Sequence, residues 1–107
     1  MRGWGEVEVL ALGLYMGSYE ICSSGGSYYI YVPVKLASQL KTRRVRVVAR
    51  VDARGCEDSS VHGAILAFPA TLTKVGSSYR IRLPSRYSRL AERIHKCGTL
   101  ELWLEPI

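Results

Sequence analysis

A nine-residue segment of this chain recurs 51 residues further on, and this repeat limits the possible folds more than any other feature. Residues 27–35 read SYYIYVPVK and residues 78–86 read SYRIRLPSR, so a serine, a tyrosine, an isoleucine and a proline recur in register. A glycine stands two positions before each copy, at Gly25 and Gly76. Because repeated sequence folds into repeated structure, we predict two similar units packed on one core.

Each copy predicts the same order of elements. Gly25 and Gly76 are turn residues, since glycine adopts positive φ freely. The residues that follow alternate in character along the chain, which is typical of a strand. Pro33 and Pro84 end these strands, because proline lacks the ladder donor but suits the first turn of a helix. The predicted elements are strands at 28–32 and 79–83, helices ending near 41 and 96, and further strands at 45–51, 64–68 and 99–104.

A length of 107 residues suits a single domain. We expect residues 13–69 to form the first unit and residues 70–107 to form the second. The second unit lacks the final strand that the first unit has, because the sequence stops at Ile107. A strand predicted at residues 6–12 has no partner in the first unit. We therefore expect residues 5–12 to complete the second unit by pairing beside residues 100–104 or beside the hairpin partner of that strand.

A family resemblance rests on the second copy. Residues 71–84 read TLTKVGSSYRIRLP, and residues 98–102 read GTLEL. This pattern resembles the AbrB/MazE/SpoVT family of swapped-hairpin domains. It consists of an alternating strand, a Gly-Ser-Ser turn, a strand ending in Leu-Pro, a basic residue, a short helix and a further strand. The first copy resembles the family less closely, because it has Thr42-Arg43 where the family has Gly-Asp after the helix.

The resemblance implies a mainly β fold with two short helices, built as a tandem swapped-hairpin β-barrel with pseudo-two-fold symmetry. The usual unit of the family is a homodimer of such halves, so two copies in one chain resemble a covalent pseudo-dimer. That unit is expected to be a monomer or to associate further into a homodimer. Members of the family mostly bind duplex DNA as transcription regulators, or as antitoxins that repress their own operon.

The distribution of charge independently favours a polyanionic partner. The chain has 15 Lys and Arg against 9 Asp and Glu, which gives a net charge of +6. Residues 27–54 and 78–98 together hold thirteen cations and two anions, whereas the remaining residues hold two cations and seven anions. A charge that served only solubility would be spread more evenly. The basic segments therefore predict nucleic-acid binding.

Candidate contact residues come from both basic segments. Arg80 and Arg82 alternate with Ile81 and are predicted to share one face of a strand. Their counterparts in the first copy are Tyr29 and Tyr31, and tyrosine stacks on bases most often in single strands and RNA. The alternative is that these arginines lie on a solvent-exposed face that binds no ligand. The predicted nucleic-acid-binding residues are Lys35, Arg43, Arg44, Arg46, Arg80, Arg82, Arg86 and Arg89.

Three functions other than catalysis are therefore open. The first is a duplex DNA-binding regulator, and the second is an RNA-binding or ribonucleoprotein-associated protein that uses the same basic face. The third is a protein adaptor or antitoxin-like subunit. We expect no enzyme activity, no cofactor, no metal and no small-molecule substrate, because His62 and His95 lack a readable nucleophile or acid partner.

The cysteines and the content of Asn and Gln bear on the growth temperature of the source organism. Cys22, Cys56 and Cys97 are far apart and form no Cys-x-x-Cys pair. We expect them to be buried as small hydrophobes, with one disulfide as the alternative in a hyperthermophile. The chain has no Asn and a single Gln, a depletion seen in hyperthermophile proteins. Because no apolar run is long enough to span a bilayer, we expect no membrane association and a cytoplasmic location.

Overall fold

The computed structural model describes residues 13–107, which form a mainly β protein with two short helices. This part of the sequence prediction is confirmed. The first helix, α1, covers Val34–Ala37 and is extended by a 3-10 turn at Ser38–Leu40. The second helix, α2, covers Ser88–Ile94 and is preceded by a 3-10 turn at Ser85–Tyr87. The elements are β1 Leu14–Tyr19, β2 Cys22–Ser24, β3 Ser27–Pro33, α1 Val34–Ala37, β4 Arg44–Asp52, β5 Ile65–Thr71, β6 Thr73–Val75, β7 Ser78–Arg82, α2 Ser88–Ile94 and β8 Thr99–Pro106.

The described strands form two antiparallel sheets of four strands each. One has the order β1-β8-β4-β5 and is called here the β4–β8 sheet, after its central strands. The other has the order β2-β3-β7-β6 and is called the β3–β7 sheet. In the β4–β8 sheet β1 pairs with β8 and β5 pairs with β4. Thus the strand before each repeated hairpin pairs with a strand that follows the other hairpin.

The register of the pairing follows the spacing of the sequence repeat. In the β3–β7 sheet Ile30 lies opposite Ile81, and these are the isoleucines that recur 51 residues apart. Leu14 and Ile65, the first residues of β1 and β5, are also 51 residues apart. The expected limit between the two units, at residues 69 and 70, lies within β5. The repeats therefore meet along paired strands rather than across a linker.

The core lies between the two sheets. Along β4 the valines Val45 and Val47 are fully buried, while Arg44 and Arg46, which alternate with them, are exposed. The inward residues of both sheets and of the helices belong to one apolar cluster. The molecule is only 22 Å across its shortest axis, which fits two sheet layers about 10 Å apart plus their outward side chains. The outward faces of the two sheets therefore point away from this shared core.

The two hairpins of the β3–β7 sheet turn at equivalent glycines. Gly25 has a φ of 58° and Gly76 a φ of 61°, in the left-handed region where a β-carbon is disfavoured. No atom other than those of adjacent residues lies within 4 Å of a β-carbon placed at either position. Backbone conformation rather than space therefore explains glycine at both turns.

In the described structure β8 lies between β1 and β4, and β1 is the edge strand. Leu14 lies opposite Leu104 and Tyr19 opposite Leu100, with a bulge between Tyr15 and Gly17. The strand predicted at residues 6–12, which we expected in this position, lies outside the described residues.

A disulfide joins Cys56, in the loop between β4 and β5, to Cys97, just after α2. Cys22 on β2 is exposed and has a free thiol. The expectation that the cysteines are buried is therefore wrong, because Cys22 and Cys97 are exposed and Cys56 is half-buried, and a disulfide pairs the last two. No helix in residues 13–107 has the length and apolarity needed to cross a membrane.

Candidate nucleic-acid interface

The outward face of the β3–β7 sheet brings two tyrosines and two arginines together. Tyr29 lies opposite Arg82 and Tyr31 opposite Arg80, one on each side of the buried pair of isoleucines. We call these four residues the Tyr–Arg face. The other outward residues of the sheet, in the part of the chain that the structure describes, include no carboxylate: Cys22, Ser24, Ser27, Pro33, Thr73, Val75 and Ser78.

The arginines of the Tyr–Arg face contact neutral groups. The Arg80 guanidinium lies 4.8 Å from the centroid of the Tyr29 ring, a cation–π geometry. Arg82 donates from Nη2 to the Ser27 hydroxyl oxygen over 3.1 Å. Within residues 13–107 neither arginine has a carboxylate within 4 Å. Their charges are therefore not neutralised by the described part of the chain.

Two pairs of predicted residues flank the ends of the β3–β7 sheet. α1 begins where β3 ends, and the Val34 N–H donates to the Ser77 carbonyl beside the start of β7. Lys35 is exposed on this helix, and the Arg43 guanidinium lies 5.7 Å from the centroid of the Tyr79 ring. These two cations therefore border one end of the sheet.

Arg86 and Arg89 follow β7 at the opposite end. Arg86 donates from Nη2 to the Ala67 carbonyl over 3.1 Å, so it contacts the open edge of β5. The Tyr87 hydroxyl lies at the same edge, where the Ala67 N–H donates to it over 3.2 Å and lowers the pKa of Tyr87. Arg89 is exposed on α2 and borders a shallow hollow with Val61. Part of the capacity of Arg86 is thus used to cover an edge strand.

Arg44 and Arg46 lie on a different sheet from Arg80 and Arg82. They project from β4 on the outward face of the β4–β8 sheet, and Arg44 pairs with Thr71, where β5 passes into β6 of the β3–β7 sheet. Arg46 lies 3.5 Å from a carboxylate oxygen of Glu105. The eight cations that the sequence predicts are therefore distributed over both sheets.

The outward face of the β4–β8 sheet is built differently from the Tyr–Arg face. Arg50 donates from Nε and Nη2 to one oxygen of Glu101, at 2.9 and 2.6 Å. Its guanidinium also lies 5.6 Å from the centroid of the Trp103 ring, and the Tyr15 ring packs against Trp103 at a tilt. Arg46 and Arg50 thus lie opposite Glu105 and Glu101, whereas Arg44 has no ion pair within residues 13–107.

A polar hollow of about 450 Å³ lies at the end of β4. Arg54 donates to both carboxylate oxygens of Asp52, at 3.0 and 2.7 Å, and holds the pKa of that carboxyl far below its usual range. The Ala53 N–H donates to His62 Nδ1 over 3.1 Å. Within residues 13–107, no group of three or more His, Cys, Asp or Glu is placed to hold a metal ion. The cations that line the hollow are thus paired with acids.

Sequence reasoning names the arginines of the Tyr–Arg face but treats Tyr29 and Tyr31 only as their counterparts. The cross-strand register makes them direct neighbours of Arg82 and Arg80. The signal was present in the repeat itself, because the recurring isoleucine fixes the alignment of β3 against β7.

Comparisons of this chain with protein-family models, with curated proteins and with solved structures found no match.

Proposed function

We propose that this protein binds nucleic acid through the Tyr–Arg face, with duplex DNA as the favoured ligand. The observation that carries the proposal is the contrast between the two sheets. Arg46 and Arg50 on the β4–β8 sheet are paired with carboxylates, whereas Arg80 and Arg82 have no such partner among residues 13–107. A guanidinium that is not neutralised suits phosphate, because its planar fork donates two parallel hydrogen bonds.

The flanking cations extend this surface. Lys35 and Arg43 border one end of the β3–β7 sheet, and Arg86 and Arg89 border the other. A phosphate backbone laid across the sheet would meet cations before, on and after the Tyr–Arg face. Arg44 and Arg46 project from the β4–β8 sheet and are not part of the proposed contact surface.

We infer that the fold is that of a tandem swapped-hairpin, AbrB-like pseudo-dimer. The pairing of β1 with β8 and of β5 with β4, together with the Ile30–Ile81 pair, supports a pseudo-two-fold axis between the repeats. In this proposal a single chain supplies both halves of a unit that the family usually assembles from two. We therefore propose that the monomer is the binding unit and that it regulates transcription by binding duplex DNA.

RNA is the second candidate ligand, and the two tyrosines favour it. Within residues 13–107 neither the Tyr29 nor the Tyr31 hydroxyl makes a side-chain hydrogen bond, and both side chains are partly exposed. Aromatic rings on a sheet surface stack unpaired bases in several RNA-binding folds.

We place this activity in the cytoplasm. A cytoplasmic protein keeps a disulfide most readily in hyperthermophiles. The Cys56–Cys97 bond and the amide-poor sequence are consistent with such a source.

Binding across a salt series tests the proposal and separates the ligands. Fluorescence anisotropy would be measured with a duplex DNA, one of its single strands and a structured RNA. If four cations neutralise phosphates, the logarithm of the duplex affinity should fall against the logarithm of salt with a slope of about −3.6. Tighter binding to RNA would make RNA the ligand. Absence of binding to all three would leave the protein adaptor as the better hypothesis.

A further inference from the structure

The two halves of the Tyr–Arg face occupy equivalent positions but have different chemistry. Adding the repeat spacing of 51 takes Tyr29 to Arg80 and Tyr31 to Arg82. Both pairs surround the same Ile30–Ile81 pair. One half of the face therefore presents neutral rings and hydroxyls, and the other presents two positive charges.

The contacts within the face add to this difference. Arg80 leans over the ring of Tyr29, and Arg82 reaches the hydroxyl of Ser27. Both arginines thus extend across β3 toward its first residues. No equivalent contact in the reverse direction can form, because a tyrosine stands wherever the symmetry would require an arginine.

The helices differ in the same direction. Arg86 in the second repeat corresponds to Lys35 in the first, and Arg89 corresponds to Ser38. Arg43, which borders the same surface, corresponds to the apolar Ile94. The proposed surface therefore has four cations from the second repeat and two from the first: Arg80, Arg82, Arg86 and Arg89 against Lys35 and Arg43.

We propose that this chain binds a non-palindromic duplex site in one fixed orientation. The inference rests on the proposed binding of duplex DNA through the Tyr–Arg face. A symmetric homodimer reads two identical half-sites, so the two-fold symmetry of the protein is mirrored in the DNA. Here the arginine half contacts one half-site mainly through charge, and the tyrosine half contacts the other through hydroxyl groups and rings. Two unlike halves favour two unlike half-sites.

The free thiol of Cys22 offers a direct test of orientation. Cys22 lies opposite Tyr29 on the outward side of β2, next to the tyrosine half of the face. Residues 1–12 contain no cysteine, and Cys56 and Cys97 form a disulfide. A DNA-cleaving iron chelate attached to Cys22 therefore labels one half alone. The matched control is the Cys22→Ser variant with Thr73→Cys, which moves the label to the equivalent position in the other repeat.

The site would first be selected from a random duplex library with the wild-type protein, and the labelled proteins would then cleave it. We expect the selected site to lack inverted repeats, the Cys22 label to cut one half-site, and the control label to cut the other. Selection of an inverted repeat, or equal cutting of both halves by each label, would overturn this inference but not DNA binding. Failure to select any duplex, or a bound site that neither label cuts, would overturn the proposed function as well.

The double variant Tyr29→Arg with Tyr31→Arg makes the two halves alike. It should shift selection toward inverted repeats and steepen the salt slope by about 1.8, because two more phosphates are neutralised. Circular dichroism would confirm that the variant folds. An unchanged asymmetric site in the folded double variant would show that these residues do not set the asymmetry, which would overturn the inference.

Discussion

Replacing Arg80 and Arg82 by alanine should weaken duplex binding at least tenfold and leave the fold intact. A charge-assisted hydrogen bond is worth about 1.5–3 kcal/mol, and tenfold in affinity corresponds to about 1.4 kcal/mol. Loss of two phosphate contacts should also flatten the salt slope by about 1.8. In the free protein the two substitutions should cost little stability. Arg82 gives up a hydrogen bond to Ser27, and Arg80 gives up a contact with the Tyr29 ring worth about 0.5–1 kcal/mol.

The matched control is the double variant Arg50→Ala with Arg54→Ala. It also removes two positive charges, but these lie away from the Tyr–Arg face and are paired with acids. Anisotropy titrations at several salt concentrations would compare both variants with the wild type, and thermal unfolding would check the fold. Equal losses in the two variants would show that net charge alone attracts DNA. Unchanged binding in folded Arg80→Ala, Arg82→Ala protein would refute the reasoning and favour the adaptor hypothesis.

Three further predictions concern stability. Reducing the Cys56–Cys97 bond, which closes a sequence separation of 41, should lower the free energy of unfolding by about 4 kcal/mol in the chain-entropy model, and thermal unfolding with and without reductant measures this. The Tyr87→Phe variant removes the hydroxyl at the β5 edge and should cost about 1 kcal/mol in a urea titration, a loss that Tyr79→Phe should not show. Arg54 lowers the pKa of Asp52 in the folded protein below its ordinary value of 3.8. The Asp52 carboxylate therefore stabilises the fold at pH values above 3.8, and this contribution is lost as the pH falls below 3.8. Acid titration of Asp52→Asn should therefore show a weaker decline in stability below pH 3.8 than the wild type, and an equal decline would contradict the assignment.

The repeat made much of the local structure predictable. The glycine turns, the alternation of Arg80 and Arg82 with Ile81, and the end of β3 at Pro33 depend on neighbouring residues alone. Short-range rules of backbone conformation and side-chain alternation suffice for such features. The strands and helices after Gly25 and after Gly76 accordingly occur in the predicted order, although β5 continues through Pro69 to Thr71.

The neutralisation of charge was not predictable in the same way. Arg46 and Glu105 are far apart in the sequence and meet only because β4 pairs with β8 in one register. Local alternation shows that Arg46 is exposed, but it does not show which side of the core its sheet faces. The disulfide was not predictable from the sequence either. Three cysteines allow several pairings, and only the packing of α2 against the β4–β5 loop selects one.

The exchange of strands between the repeats has a consequence for how the chain folds. β1 is completed by β8 and β5 by β4, so a repeat separated from its partner would leave its longest strands with open edges. We expect the chain to unfold in one cooperative transition rather than one repeat at a time. Because β1 and β8 stand at opposite ends of the described chain, closure of the β4–β8 sheet awaits a long-range encounter. Folding should therefore be slow for a domain of this size, as it is for other β proteins rich in distant contacts.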